Sequence, residues 1–305
     1  MSFVPRIAIG PARSHFAADA VVAGGGTAVE VGQPAEGLVW MSPTDSDGLR
    51  AALTPEIRWV QLPFAAVNPF VEAGLIDHDR AWTCAKGAYA EPVAEHALAL
   101  ALAGLRHLPE RITATSWGEA KGATLYDAEV TILGGGGIAQ ALLGLLAPYR
   151  VKATVVRRSI RDTQGAVRTL STDRTLDTLP GARVVFVALA LTPETRGLID
   201  AKALSAMDTD AWLVNVARGG HVVTDDLVEA LRAGSIAGAA LDVTDPEPLP
   251  DGHPLWTMPN AIITPHTADW PEIVNHLLAA RIAKNTALFA AGDPLEGLVD
   301  AEAGY

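Results

Sequence analysis

Three polar residues stand just past apolar, strand-like runs in the second half of the chain: Arg218 after "LVNVA", Glu247 in the loop following "GAALDV", and His266 closing "AIITPH". An arginine fork matches a carboxylate with two parallel N–H···O bonds and keeps its charge at any working pH. A histidine ordinarily titrates close to neutrality, so it can hand a proton to a carbonyl oxygen. A neighbouring glutamate favours the charged imidazole and fixes which ring nitrogen holds the proton. Anchor, donor and partner together are what reduction of a carbonyl beside a carboxylate requires. Taken singly, each has a plainer reading: a surface arginine, a solvated glutamate, a structural histidine. The other histidines (His15, His78, His96, His107, His221, His253, His276) lack a comparable strand-end setting and are read as structural or solvent-facing, His221 being expected at the surface.

Such residues need a scaffold that delivers strand ends to one place. Short apolar runs at 6–10, 28–32, 37–41, 58–63 and 80–85 alternate with helix-like patches, and a stronger alternation starts at 129 with "EVTIL", "KATVV", "ARVVFVAL", "AWLVNVA", "IAGAALDV" and "AIITPH". Strands separated by helices predict an α/β chain of doubly wound parallel sheets, in which ligands sit beyond the carboxyl ends of the strands. Between the two series, "EPVAEHALALALAGLRHLPE" predicts a helix apolar nearly all round, buried as a link between domains or as an oligomer contact.

The stretch "VTILGGGGIAQALLGLLA" (130–147) sets four glycines between a strand and a helix. With the strand ending at Leu133, the register reads Gly134-x-Gly136-x-x-Ala139. Gly134 permits a tight turn, Gly136 lets backbone approach a pyrophosphate, and the small Ala139 allows close helix-to-strand packing. The free N–H groups and dipole of the helix start then form an anion site. Four glycines alone also suit a flexible loop; the strand before, the helix after and "ATVV" about twenty residues on favour a dinucleotide turn. An acidic residue ending that second strand would bind the adenine ribose and repel a 2′-phosphate. Here Val156 is followed by Arg157, Arg158 and Ser159, and no carboxylate appears until Asp162. This predicts NADP as the preferred cofactor, with NAD possible.

The 305 residues, 49% of them apolar and 19% charged, are enough for two domains. A net charge of −12 with only 23 Lys and Arg disfavours a nucleic-acid or anionic-membrane surface. One cysteine, Cys84, excludes an internal disulfide and a multi-thiolate zinc site, so no metal site is expected and a reducing cytoplasmic location fits. The apolar stretch at 96–105 is about half of what a bilayer span requires.

The chain resembles the D-isomer-specific 2-hydroxyacid dehydrogenases, the glyoxylate/hydroxypyruvate reductases among them. The resemblance is carried by "WVQLPFAAVNPF", "YAEPVAEHALAL", "ILGGGGIAQ", "LTPETRGLID", "LVNVARGGHVV", "AGAALDVTDPEPLPDGHPLW", "NAIITPHTA" and "LVDAEAGY", in the family's order from residue 58 to 305. It implies Arg218, Glu247 and His266 as the catalytic set, with Asp242 near the nicotinamide carboxamide. Cofactor contacts are then expected from Gly134, Gly136, Gly137, Ile138, Arg157, Arg158, Ser159, Leu189, Val216, Ala217 and Asp242. Substrate contacts are expected from Ala65, Ala66, Val67 and Arg218. The resemblance further implies a flavodoxin-like substrate domain (1–96 and 275–305), a Rossmann cofactor domain (97–274) inserted into it, catalysis in the interdomain cleft, and a homodimer.

Three positions depart from the family's habit: Ala65-Ala66-Val67 where glycine is frequent, Ala190 where proline is common, and Asp269 where glycine is common. They bear on substrate identity more than on reaction type. The expected activity is NAD(P)H-dependent reduction of a small 2-oxo acid of the glyoxylate, hydroxypyruvate or pyruvate class to the D-2-hydroxy acid. Two alternatives stand beside it: a nucleotide-sensing, corepressor-like binding protein, and a phosphoglycerate dehydrogenase-like enzyme. The second is disfavoured by a loop "QLPFAAVNPF" that has no Lys or Arg for a substrate phosphate.

Overall fold

A computed structural model describes residues 3–65 and 67–300, and the chain forms two compact units, Met1–Tyr89 with Pro271–Tyr305, and Ala90–Trp270. In chain order the first unit runs β1 (Arg6–Gly10), α1 (His15–Ala23), β2 (Thr27–Glu30), β3 (Gly37–Trp40), α2 (Ser46–Ala52), β4 (Trp59–Gln61), α3 (Asn68–Glu72) and β5 (Ala81–Thr83). Among the described residues its strands form one parallel sheet in the order β2-β1-β3-β4-β5. Strands β3 and β4 are buried along their whole length, which is why β3 reads as an apolar run rather than an alternating one, while β4 ends in the buried polar Gln61. Asp45 starts α2 by accepting the Gly48 N–H at 2.8 Å.

The second unit runs α4 (Ala90–Leu105), α5 (Leu108–Ile112), β6 (Glu129–Leu133), α6 (Gly137–Leu146), β7 (Lys152–Val156), β8 (Arg168–Leu170), β9 (Val184–Val187), α7 (Ala201–Ala206), β10 (Trp212–Asn215), α8 (Thr224–Ala233), β11 (Gly238–Leu241) and β12 (Ala261–Ile263). Its parallel sheet has the order β12-β11-β10-β9-β6-β7-β8, the Rossmann arrangement in which the strand order reverses between β6 and β9. Strand β8 is a three-residue edge strand only partly buried, and its "RTL" carries no apolar run that sequence reading could use. The chain then returns to the first unit as α9 (Pro271–Ala291), packed against α1. The buried Asn285 donates from Nδ2 to Gln61 Oε1 and to the Glu296 carbonyl, both at 2.9 Å, and ties α9 to the end of β4.

Boundaries at 96/97 and 274/275 would cut α4 and α9, whereas the chain passes between units at Tyr89/Ala90 and Trp270/Pro271, before each helix begins. Helix α4 buries Val93, Ala94, Ala97, Leu100, Ala101, Gly104 and Leu105 and packs on α6, β10 and β11, so the cover its apolar face needs comes largely from its own unit. Among the described residues no helix is long and apolar enough to cross a membrane.

Candidate active site

The glycine turn sits at the point where the strand order of the second sheet reverses. Gly134 has φ +127°, and a Cβ there would stand 2.2 Å from the Ala188 carbonyl at the end of β9, so only glycine fits the approach of the two strand ends. Its N–H donates to the Val156 carbonyl of β7 at 2.7 Å. Gly136 caps α6, and the space where its Cβ would stand is empty for 4 Å around. Gly136 and Gly137 are exposed and Ile138 half-buried, leaving the N–H end of a ten-residue helix open to an anion.

Past β7, Arg157 is half-buried and folds back over Gly135: a Cβ on Gly135 would stand 2.8 Å from Arg157 Nε. That Nε is buried without a hydrogen-bond partner among the described residues. Burial and then the Arg161 charge lower the Arg157 pKa. Arg158 and Ser159 are exposed beside it. A glycine cradle, an open helix start and an under-partnered guanidinium with a second cation nearby fit a phosphate-bearing dinucleotide. Leu189 is half-buried after β9, and Val216 and Ala217 are buried after β10.

Adjacent strands β10, β11 and β12 deliver the polar cluster. Asn215, fully buried at the end of β10, accepts the Ala217 N–H at 3.1 Å and donates to the Arg218 carbonyl at 3.0 Å, which shapes the exit turn. The next residue, Gly219, lies so close to the loop after β11 that a Cβ would meet the Thr244 carbonyl at 1.9 Å. Its glycine therefore brings the Arg218 turn against the segment leading to Glu247. Burial lowers the Arg218 pKa, while Asp269 and Glu247 oppose that shift. Glu247 Oε1 and His266 Nδ1 are 2.6 Å apart, leaving Nε2 of the imidazole for a substrate.

His266 adopts φ +52°, a left-handed backbone that non-glycine residues hold only when the surroundings impose it. Its N–H is shared between the carbonyls of Asp242 (2.8 Å) and Thr264 (3.0 Å). Asp242 is 2% exposed; its carboxylate accepts from Thr264 Oγ1 at 2.6 Å and from the N–H groups of Thr267 (2.9 Å) and Ala268 (3.1 Å). His96 Nε2 of α4 approaches the same carboxylate at 3.3 Å and Thr264 Oγ1 at 3.0 Å. Burial pushes the Asp242 carboxyl up, and these hydrogen bonds together outweigh it, holding the pKa at about 2.

Two polar residues stand otherwise than the sequence reading had them. His221 is not at the surface: it is fully buried, with Nδ1 3.0 Å from the Thr195 carbonyl and Nε2 3.3 Å from the Leu189 carbonyl. Burial lowers its pKa, against the two carbonyls that raise it. It joins the loop after β9 to the turn of Arg218, a long-range contact that no local pattern reveals. Asp269, noted only as a departure from a family habit, places Oδ1 4.0 Å from His266 Nε2. In the first unit, the loop after β4 is held by Tyr89, whose hydroxyl donates to the Pro63 carbonyl at 2.6 Å. Ala65 there is exposed and Val67 buried; Ala66 lies outside the described residues.

A reversed Rossmann sheet with a glycine turn, and an Arg/Glu/His cluster past three neighbouring strands, define a nicotinamide-dependent dehydrogenase. Residues 97–268, more than half of the chain, match the model of the D-isomer specific 2-hydroxyacid dehydrogenase NAD binding domain. The chain belongs to that family and is an NAD(P)-dependent oxidoreductase of 2-hydroxy acids. It is 42% identical over 260 residues to an uncharacterized protein of the proB 3′ region of Corynebacterium melassecola (83% of this chain, 85% of the relative). It is 31% identical to glyoxylate/hydroxypyruvate reductase A of Photorhabdus laumondii over 69% of this chain and 68% of that one. A D-isomer specific 2-hydroxyacid dehydrogenase from Xanthobacter autotrophicus, solved with NADPH and MES, superposes with a TM-score of 0.85 at 28% identity, covering 100% of both chains.

Proposed function

We propose that the protein reduces small 2-oxo acids of the glyoxylate, hydroxypyruvate or pyruvate class to D-2-hydroxy acids, with NADPH preferred over NADH. The observation that carries the reading is the joint arrival of Arg218 and the His266–Glu247 pair, 2.6 Å apart, at the ends of three adjacent strands. Arg218 anchors the substrate carboxylate as a fork, with backbone amides of Ala65 and Val67 as further proposed contacts. His266 gives its Nε2 proton to the carbonyl oxygen, and Glu247 holds the ring at Nδ1 in the orientation that presents Nε2. A bound nicotinamide supplies hydride to the carbonyl carbon. Gly136, Gly137 and Ile138 would hold the pyrophosphate, with Gly134 making the turn that presents them, and Leu189, Val216 and Ala217 would hold the nicotinamide half. Asp242 acts by bracing the backbone of the His266 loop, since its oxygens are already engaged there.

The cofactor preference is supported by Arg157, Arg158 and Ser159, since like charges at Arg157 and Arg161 are relieved by a bound anion. The Photorhabdus relative is named for glyoxylate and hydroxypyruvate, and the Xanthobacter structure holds NADPH. A homodimer is proposed as well, supported by the exposed Leu108, Ile112 and Trp117 just after α4. The single cysteine fits a cytoplasmic location.

The test is oxidation of NADPH and of NADH by the purified chain with glyoxylate, hydroxypyruvate and pyruvate. Turnover with at least one acid, about tenfold or more efficient with NADPH and losing that preference in Arg157→Ala/Arg158→Ala, is expected. No turnover with any of the three refutes the reading.

A further inference from the structure

The reductase reading uses Arg218, Glu247 and His266 and leaves Asp269 over. Asp269 follows His266 by three residues, and its side chain is 26% exposed. The imidazole therefore lies between two carboxylates, Glu247 on Nδ1 at 2.6 Å and Asp269 facing Nε2 at 4.0 Å. A purely bracing acid in the same loop looks different: Asp242 is enclosed by hydrogen-bond donors. The Asp269 carboxyl is pushed up by burial, against the pull of His266, Arg218 and its own backbone N–H, and Asp242 pushes it up further. Among the described residues the donor on it is its own backbone N–H, with the charges of His266 and Arg218 beyond.

With a substrate carboxylate on Arg218 and the carbonyl oxygen on Nε2, the remaining substituent on C2 is C3. An acceptor 4.0 Å from the proton-donating nitrogen is within reach of a group attached there. A carboxylate accepts and does not donate, so it rewards a donor and repels an anion. We infer that Asp269 is a specificity-determining residue that reads the C3 substituent, favouring a hydrogen-bond donor such as a hydroxyl and rejecting a second acidic group. The charges agree: the Arg218 guanidinium is already faced by both Asp269 and Glu247, so a second carboxylate on the substrate adds to the acidic side of the cluster.

The inference rests on the reductase reading, and its test separates the two. Steady-state kcat/KM is measured with hydroxypyruvate, 3-fluoropyruvate, pyruvate and oxaloacetate, for the wild type, Asp269→Ala and Asp269→Asn, with NADPH binding followed by fluorescence as a check on the fold. Comparing each ratio between proteins cancels the intrinsic reactivity of the acids. In Asp269→Ala the hydroxypyruvate-to-fluoropyruvate ratio is expected to fall about tenfold or more, the size of one lost hydrogen bond to a charged group. Oxaloacetate improves in both variants, and Asp269→Asn, which still accepts a hydrogen bond, keeps part of the hydroxyl preference. Ratios unchanged in Asp269→Ala, or four substrates falling in parallel, overturn the inference while the reductase reading stands. A wild type that reduces none of the four overturns the inference, and overturns the reductase reading as well when glyoxylate is not reduced either.

Discussion

Asp242 and Asp269 flank the same short loop around His266, and the fold treats them in opposite ways. On the floor, Asp242 is almost fully buried among hydrogen-bond donors and is held at about 2. On the other side, Asp269 is half-buried, meets the imidazole at 4.0 Å, and has its pKa raised by burial. Burial disfavours the charge of both, so what reverses the sign is the number of donors aimed at the carboxylate. The donors on Asp242 hold the loop that carries the left-handed backbone of His266, whereas Asp269 has its own backbone N–H and the charges of His266 and Arg218.

The largest expected effect removes the imidazole that lies between the acids. With His266 as the proposed proton donor, His266→Ala should lower kcat by about 10²- to 10⁴-fold while leaving NADPH affinity nearly unchanged, as read by steady-state kinetics and fluorescence titration. Next comes the floor. A fall in the Asp242 pKa from 3.8 to about 2 corresponds to roughly 2 kcal/mol of stability. Because the folded pKa is the lower one, that contribution is complete above pH 3.8 and is lost as pH falls through about 2. Asp242→Asn should therefore lower the denaturation midpoint at neutral pH and flatten the dependence of stability on pH in that acid window; equal acid slopes in the two proteins would place the floor's stability elsewhere.

The smallest effect has the opposite sign. The Asp269 pKa is raised in the folded state, so its charge costs stability once the pH exceeds its folded pKa, and that cost vanishes below the ordinary aspartate range. Asp269→Asn should raise Tm by up to a few degrees at neutral pH and by nothing in acid. A lower Tm at neutral pH would mean that Asp269 braces the loop as Asp242 does.

Much of this was legible from local pattern. The glycine register follows from turn chemistry, since a strand must stop at Leu133 and a helix must start by Gly137. The doubly wound class follows from apolar runs alternating with helical ones, and Arg218, Glu247 and His266 stand where such sheets expose their strand ends. These are properties of neighbouring residues, dictated by backbone geometry and by the need to bury apolar side chains. The burial of His221 between two carbonyls, the donors gathered on Asp242 from α4 and the loop after β12, and the approach of Gly219 to Thr244 belong to another order. Each joins segments far apart in the chain, and a polar residue's environment depends on what packs against it. The sequence by itself determined which side chains could do the chemistry and on which strand ends they stand. Only the tertiary structure decided which acid is enclosed by donors and which is left facing the imidazole, because hydrogen-bond partners and desolvation are set by the atoms that folding brings within a few ångströms.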